Sequence, residues 1–341
     1  MHFFTPKTCT IQKKTLTLQP LTCCTGVFIT KDAAKLQRIF QICKFILYIF
    51  NLCAPLAIKN SKLNKIWTTN LLIMRNVRAK KQLGQHFLKD LTIAQQIADT
   101  LQVAVPADEA KIQVLEIGPG MGVLTQFLIQ NPHYNTTAIE IDRESVAYLK
   151  ERFRDNMDSL RLIEGDFLKL NLNKLYPDGE FCVIGNYPYN ISSQIFFKVL
   201  EHKDRIPVCS GMIQKEVAER LAAKPGCKAY GILSVLMQAY YDIEYLFTVH
   251  EFVFDPPPKV KSAVIRFTRN TRKQIDCDDK LFKQVVKTAF NQRRKQMRNS
   301  LMALVGKGNP LLEEPVFTKR PEQLSVDEFA ELTNKIAQTI I

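Results

Sequence analysis

The feature that most constrains the fold of this chain is a glycine-rich turn set between a strand-like and a helix-like apolar run. Ile112-Gln113-Val114-Leu115 leads into Glu116-Ile117-Gly118-Pro119-Gly120-Met121-Gly122, and Val123-Leu124-Thr125-Gln126-Phe127-Leu128 follows. Glycine takes backbone dihedrals closed to other residues and lets the main chain approach a ligand closely. In an open α/β sheet the junction from parallel strand to helix is also where ligands bind. Taken alone the turn is a weak signal, because the same spacing serves dinucleotides.

The surrounding pattern supplies the sheet. Residues 112–117, 136–141, 160–164, 181–185 and 209–214 read as strands, alternating with helices expected over 123–130, 143–153, 192–201 and 232–241. Ile93, Ile97 and Leu101 recur at helical spacing ahead of them. Such alternation implies a mostly parallel sheet with helices on both faces. Residues 245–249 and 263–267 flank Pro256-Pro257-Pro258, which neither a helix nor a central strand accepts, so they are read as an antiparallel pair at the sheet edge. Beyond residue 270 the strand pattern stops. Leu281, Phe282, Val285, Val286, Ala289 and Phe290 form one amphipathic face, and Ser325 with Glu328 forms a capping box for a last helix.

The first 73 residues differ from the rest. They hold ten of the Lys and Arg residues against one acid, Asp32, and so carry +9 of the net charge of +14. The bulk charge therefore overstates the case for a polyanionic partner. The apolar stretch 39–58 is interrupted by Gln41, Lys44, Asn51 and Pro55, a poor match to a membrane span. An organelle transit peptide is the alternative reading of so basic a segment. The expected organisation is a leader at 1–73 outside the fold, an α/β domain at 74–270 and a small helical domain at 271–341. The nine cysteines include no ligand-like spacing, which predicts reduced thiols, no metal and a cytoplasmic protein.

Chemistry collects at the predicted strand ends. Glu140 closes the second strand, where a carboxylate accepts both ribose hydroxyls of a nucleoside ligand. Asp166 follows the third, placed to accept from an adenine amino group while Phe167 stacks on the ring. Asn186-Tyr187-Pro188-Tyr189 follows the next strand. An exocyclic amine is a poor nucleophile because its lone pair is delocalised into the base. If the Asn186 side-chain oxygen and the Pro188 carbonyl both accept its hydrogens, the nitrogen turns its lone pair towards a methyl sulfonium, with Tyr189 offering a face to the flipped base. Together these motifs outline an adenosylmethionine-dependent methyltransferase. Between Leu281 and Lys307 there are seven basic residues and no acid, centred on Arg293, Arg294, Lys295 and Arg298. An all-basic helix face there points to phosphate contacts.

These residues resemble the ribosomal RNA adenine N6,N6-dimethyltransferases. The resemblance runs through residues 81–88 (KQLGQHFL), 114–125 (VLEIGPGMGVLT), 140–143 (EIDR), 165–168 (GDFL) and 185–192 (GNYPYNIS). It continues through 214–220 (QKEVAER), 257–267 (PPKVKSAVIRF) and 289–301 (AFNQRRKQMRNSL). It implies a class I, Rossmann-like methyltransferase domain followed by a small helical domain. It also implies S-adenosylmethionine contacted by His86, Leu88, Gly118, Glu140, Asp166 and Asn186, with Tyr189 over the target base; the glycine turn and the strand-end reading add Gly120 and Phe167 to the cofactor site. The implied substrate is a pair of adjacent adenosines in the 3′-terminal hairpin of small-subunit (16S) rRNA, within a pre-30S or 30S particle, and the implied enzyme is a monomer. Tyr187 stands where the family usually has leucine, and His86 where asparagine is common. A large-subunit rRNA methyltransferase of the macrolide-resistance type, a DNA adenine-N6 methyltransferase, and an assembly factor that uses methylation as a checkpoint remain as alternatives.

Overall fold

The computed structural model describes residues 77–108 and 110–340. The leader reading of residues 1–73, its apolar stretch and its cysteines lie outside the described residues.

The chain enters the described region through a short 3-10 turn at Lys81–Leu83, closed by left-handed Gly84, and a two-residue strand, β1 (Phe87–Leu88). Helix α1 (Leu91–Asp99) is capped by Asp90, whose carboxylate accepts from the Thr92 and Ile93 amides. Strands and helices then alternate as β2 (Ile112–Ile117), α2 (Thr125–Gln130), β3 (Tyr134–Glu140), α3 (Arg143–Arg152), β4 (Leu160–Glu164), α4 (Leu172–Leu175), β5 (Phe181–Asn186), α5 (Ser192–Glu201) and β6 (Val208–Gln214). Two helices, α6 (Lys215–Ala222) and α7 (Ile232–Gln238), precede β7 (Tyr241–Val249), β8 (Phe254–Asp255) and β9 (Ser262–Arg269).

Seven strands form one sheet in the order β4-β3-β2-β5-β6-β9-β7. The first five are parallel, while β9 runs antiparallel to both β6 and β7. Side chains alternate between two buried faces, as the two-residue period of a strand requires. Leu115, Ile117, Val183 and Cys209 point into one cluster with α5, α6 and α7, and Val114, Cys182, Ile184 and Met212 into the other with α1 and α2. Because β3 lies on one side of β2 and β5 on the other, the strand order reverses between β2 and β5. The glycine turn and the Asn186 segment both emerge there, at the switch point where such sheets hold ligands.

The C-terminal helices share the first cluster rather than building a separate core. Helix α8 (Asp279–Asn291) buries Phe282, Val285, Val286, Ala289 and Phe290. Phe290 lies between Tyr230 and Phe329, with ring centroids 6.5 and 6.0 Å away. Helix α9 (Met297–Val305) follows, and α10 (Val326–Ile340) starts with the expected reciprocal cap, Ser325 accepting from the Glu328 amide at 3.1 Å and Glu328 from the Ser325 amide at 2.8 Å.

Three local expectations are corrected. The helix expected over 232–241 ends at Gln238, and Tyr241 opens β7 with its hydroxyl donated to the Ile206 carbonyl. Helix α2 starts at Thr125, two residues late, because the left-handed glycines and the Gly122 N–H to Pro119 carbonyl bond hold the preceding turn. The basic run is not a helix face: residues 292–296 form the turn between α8 and α9. Further elements escape periodicity, among them the single-turn α4 and helix α9. The sheet of β1 with β8 is two residues long, too short for a repeat to show, and α6 coincides with a motif read only through the family resemblance.

Candidate active site

Four of the five parallel strands each deliver one functional group to the carboxyl edge of the sheet. Gly118 follows β2, Glu140 ends β3, Asp166 follows β4 and Asn186 ends β5. Around them opens a cleft of about 1000 Å³, lined by all ten residues expected to act in catalysis or cofactor binding: His86, Leu88, Gly118, Gly120, Glu140, Asp166, Phe167, Asn186, Pro188 and Tyr189. The basic residues Arg293, Arg294, Lys295 and Arg298 do not line it.

Gly118 and Gly120 have φ of 66° and 57°, in the left-handed region. A Cβ on Gly120 would sit 3.0 Å from the Phe87 ring, so a side chain there would push the ring back by a few tenths of an ångström, on top of the strain of its positive φ. The Glu140 carboxylate is fixed from two sides, accepting from the Gly120 amide at 3.0 Å and the Asp142 amide at 2.9 Å. Burial raises its pKa, and those amide bonds oppose the shift. One lone pair on each oxygen remains for a ligand hydroxyl. Glu116, one strand over and 1 % exposed, has a carboxyl oxygen without a partner among the described residues. Burial pushes its pKa to about 8. A glycine cradle, a fixed carboxylate and a second orphaned carboxyl fit a ligand with vicinal hydroxyls and donor groups, as an adenosyl amino acid has.

Asp166 caps the turn after β4 by accepting from the Leu168 amide at 2.9 Å. Sequence reasoning missed the residue that holds this loop. The Lys198 ammonium donates to the carbonyls of Phe167, Leu168 and Leu170 at 2.7, 3.0 and 2.6 Å and lies 5.0 Å from the Phe167 ring centroid. Desolvation lowers its pKa. No short-range signal marks Lys198, which lies on α5, some 30 residues from the loop it holds.

The opposite wall is built around Tyr189. The Asn186 side-chain N–H donates to the His86 carbonyl at 3.1 Å, which orients the amide and leaves its oxygen as the acceptor. The Pro188 carbonyl already accepts from the Ile191 amide at 3.2 Å and keeps a second lone pair. Tyr189 is stacked on His86 with centroids 5.5 Å apart, and its hydroxyl meets the Ser262 hydroxyl at 2.5 Å. His86 in turn is held through Nδ1 by the Pro256 carbonyl at 2.8 Å. Tyr187, at the position where leucine is usual, is buried and donates to the Ser210 carbonyl at 2.6 Å. Its ring occupies the space above Gly185 and Gly211, where a Cβ would come within 3.1 and 2.6 Å of it.

The N-terminal motif is tied on by Asp142, which caps α3 and takes Lys80 at 2.5 Å and Gln85 at 3.4 Å. Among the described residues no His, Cys, Asp or Glu cluster of metal-binding type occurs, and no helix is long and apolar enough to cross a membrane.

Fold and cleft define a class I, Rossmann-like methyltransferase with helices added at the C-terminus. The family described as ribosomal RNA adenine dimethylase matches residues 76–338, and the chain belongs to it. It is 66 % identical over 260 residues to the ribosomal RNA small subunit methyltransferase A of Parabacteroides distasonis, covering 76 % of this chain and 94 % of that one. The protein of the same name from Bacteroides thetaiotaomicron is 61 % identical over 267 residues, covering 78 % and 97 %. Among solved structures, a dimethyladenosine transferase from Plasmodium falciparum superposes with a TM-score of 0.60 at 24 % identity, over 75 % of this chain and 99 % of that one. The 23S rRNA methyltransferase ErmE gives 0.53 at 24 % identity, over 73 % and 99 %. These two likenesses concern the fold.

Proposed function

We propose that this chain transfers methyl groups from S-adenosylmethionine to N6 of two adjacent adenosines in the 3′-terminal hairpin of small-subunit (16S) rRNA, dimethylating each during small-subunit biogenesis. Family membership and relatives at 56–66 % identity that bear the small-subunit name favour this substrate over large-subunit rRNA or DNA. The observation that carries the chemistry is the Asn186 amide, locked by the His86 carbonyl with its oxygen left to accept, beside Pro188 and Tyr189 in the same cleft as the glycine turn.

When bound, the cofactor supplies an electrophilic methyl group. Gly118, Gly120, Glu140, Asp166 and Phe167 would hold it, with His86 and Leu88 closing the side formed by β1. The Asn186 side-chain oxygen and the Pro188 carbonyl accept the two amine hydrogens and restore lone-pair density to nitrogen. Tyr189 presents its ring to the extruded base. Catalysis is then alignment and electrostatics, and no base is needed before attack; the proton leaves the methylated nitrogen afterwards. Residues 271–341 form the helical part read as RNA-binding, with Arg293, Arg294 and Lys295 on the α8–α9 turn and Arg298 in the first turn of α9. The working form is a cytoplasmic monomer acting on a partly or fully assembled 30S particle, without a metal or a membrane.

The test uses the full chain, labelled adenosylmethionine and undermethylated small subunits, with nucleoside analysis of the RNA. Dimethyladenosine at two adjacent sites is expected, and Asn186→Ala should abolish it while subunit binding persists. Undiminished dimethyladenosine from Asn186→Ala would remove the amide from the mechanism.

A further inference from the structure

Among the described residues the most exposed large apolar side chain is Phe252, at 70 %. A single exposed apolar residue needs no explanation by itself. Its setting provides one. The ring stacks on exposed His250, with centroids 5.4 Å apart and planes 16° from parallel. Buried Val249 on one side and buried Val253 and Phe254 on the other fix the backbone that carries the pair.

Both ends of this segment are tied to the residues that hold Tyr189. On the β7 side, Val249 pairs with Ser262, whose hydroxyl meets the Tyr189 hydroxyl. On the other side, the Val253 carbonyl accepts from the Lys89 amide at 2.8 Å, β8 pairs with β1, and the Pro256 carbonyl meets His86, which is stacked on Tyr189. At about 3.5 Å per residue, Phe252 lies within about 14 Å of both tethers. The stack therefore lies outside the lining of the cleft itself but within that reach of the residues that hold Tyr189.

Extruding one base from an RNA leaves its neighbours short of stacking partners, and proteins that read unpaired RNA supply aromatic faces for them. Charge does not select the site, since Glu251 and Asp255 offset Lys259 and Lys261 in the same segment. The recognisable feature is the stack.

We propose that Phe252, backed by His250, is a stacking platform for an unpaired base next to the target adenosine in the rRNA substrate. This rests on the reading that Tyr189 faces the target base.

The test is steady-state methyl transfer to undermethylated small subunits by the full chain and by Phe252→Ala, Phe252→Leu and Phe252→Trp, with Asn186→Ala as control. Phe252→Ala should raise KM for subunits about tenfold, as expected for losing one base–aromatic stack, with kcat and cofactor affinity unchanged. Phe252→Leu should be as poor, and Phe252→Trp close to the parent. An unchanged KM for Phe252→Ala overturns the platform. So does a fully active Phe252→Leu, because any apolar contact, including one with a ribosomal protein, would then suffice. An active Asn186→Ala would instead remove the acceptor amide beside Tyr189 and with it the proposed target-base site beneath the platform, whereas inactive Asn186→Ala with normal Phe252→Ala defeats the platform alone.

Discussion

Replacing Glu116 by glutamine should flatten the dependence of folding stability on pH. The Glu116 carboxyl is buried at the carboxyl edge of β2, with one oxygen unpartnered, and desolvation raises its pKa from 4.5 to about 8. The group is therefore neutral in the fold across a window in which the unfolded chain is ionised. Unfolding releases a proton there, so the stabilisation is fully present below pH 4.5 and is lost as pH rises to about 8. The slope is about 1.4 kcal/mol per pH unit, which makes the loss at pH 7 about 3 kcal/mol relative to the acid end. Glutamine keeps the shape and has no proton to release, and its amide can donate to the neighbouring Thr125 hydroxyl. Urea unfolding of both proteins between pH 5.5 and 8, without cofactor, should show the stability gap moving in favour of the variant as pH rises. Other titrating groups act equally in the two proteins and cancel. Parallel curves would mean that Glu116 is already ionised in the fold, and would refute the desolvation argument.

Lys198→Met should leave the carbonyls of Phe167, Leu168 and Leu170 without their shared donor. Hydrogen bonds to a charged group contribute about 1.5–3 kcal/mol each, but they are not additive and the ammonium is itself desolvated, so a net loss of about 2–3 kcal/mol is expected. Cofactor affinity by calorimetry should fall about tenfold as the Asp166 loop loosens; an unchanged affinity would show that the loop is held by its own turn. At the α8–α9 turn, Arg294 and Lys295 are exposed, whereas Arg293 donates to the Lys228 carbonyl and faces Glu322 at 3.9 Å. Replacing Arg294 and Lys295 with alanine should weaken subunit binding and reduce its logarithmic salt slope by about 1.5–2; an unaltered slope would exclude them from phosphate contact.

The alternating core was legible because each strand carries its own period. The bounds of β2 and β4 match the residues read as strands, and the Ser325–Glu328 cap matches as well. The strand-end residues were legible for a related reason: in a parallel sheet every strand ends at the same edge, so Gly118, Glu140, Asp166 and Asn186 converge once the alternation is recognised. The helical face inferred around residues 293–298 failed at Arg293, Arg294 and Lys295 because a run of one charge has no period; Gln292–Gln296 turn the chain, and only Arg298 falls on a helix, α9.

By itself, then, the sequence determined the sheet, its carboxyl edge, which residues are placed there and the family, because local periodicity and short motifs depend on near neighbours. Only the tertiary structure decided what holds those groups in place. Lys198 reaches the Asp166 loop from α5, Ser262 and Pro256 brace Tyr189 and His86 from β9 and its preceding loop, and the His86 carbonyl orients an amide 100 residues away. Such contacts join residues far apart in the chain, and no pattern of near neighbours encodes them; they exist only when packing closes the distance.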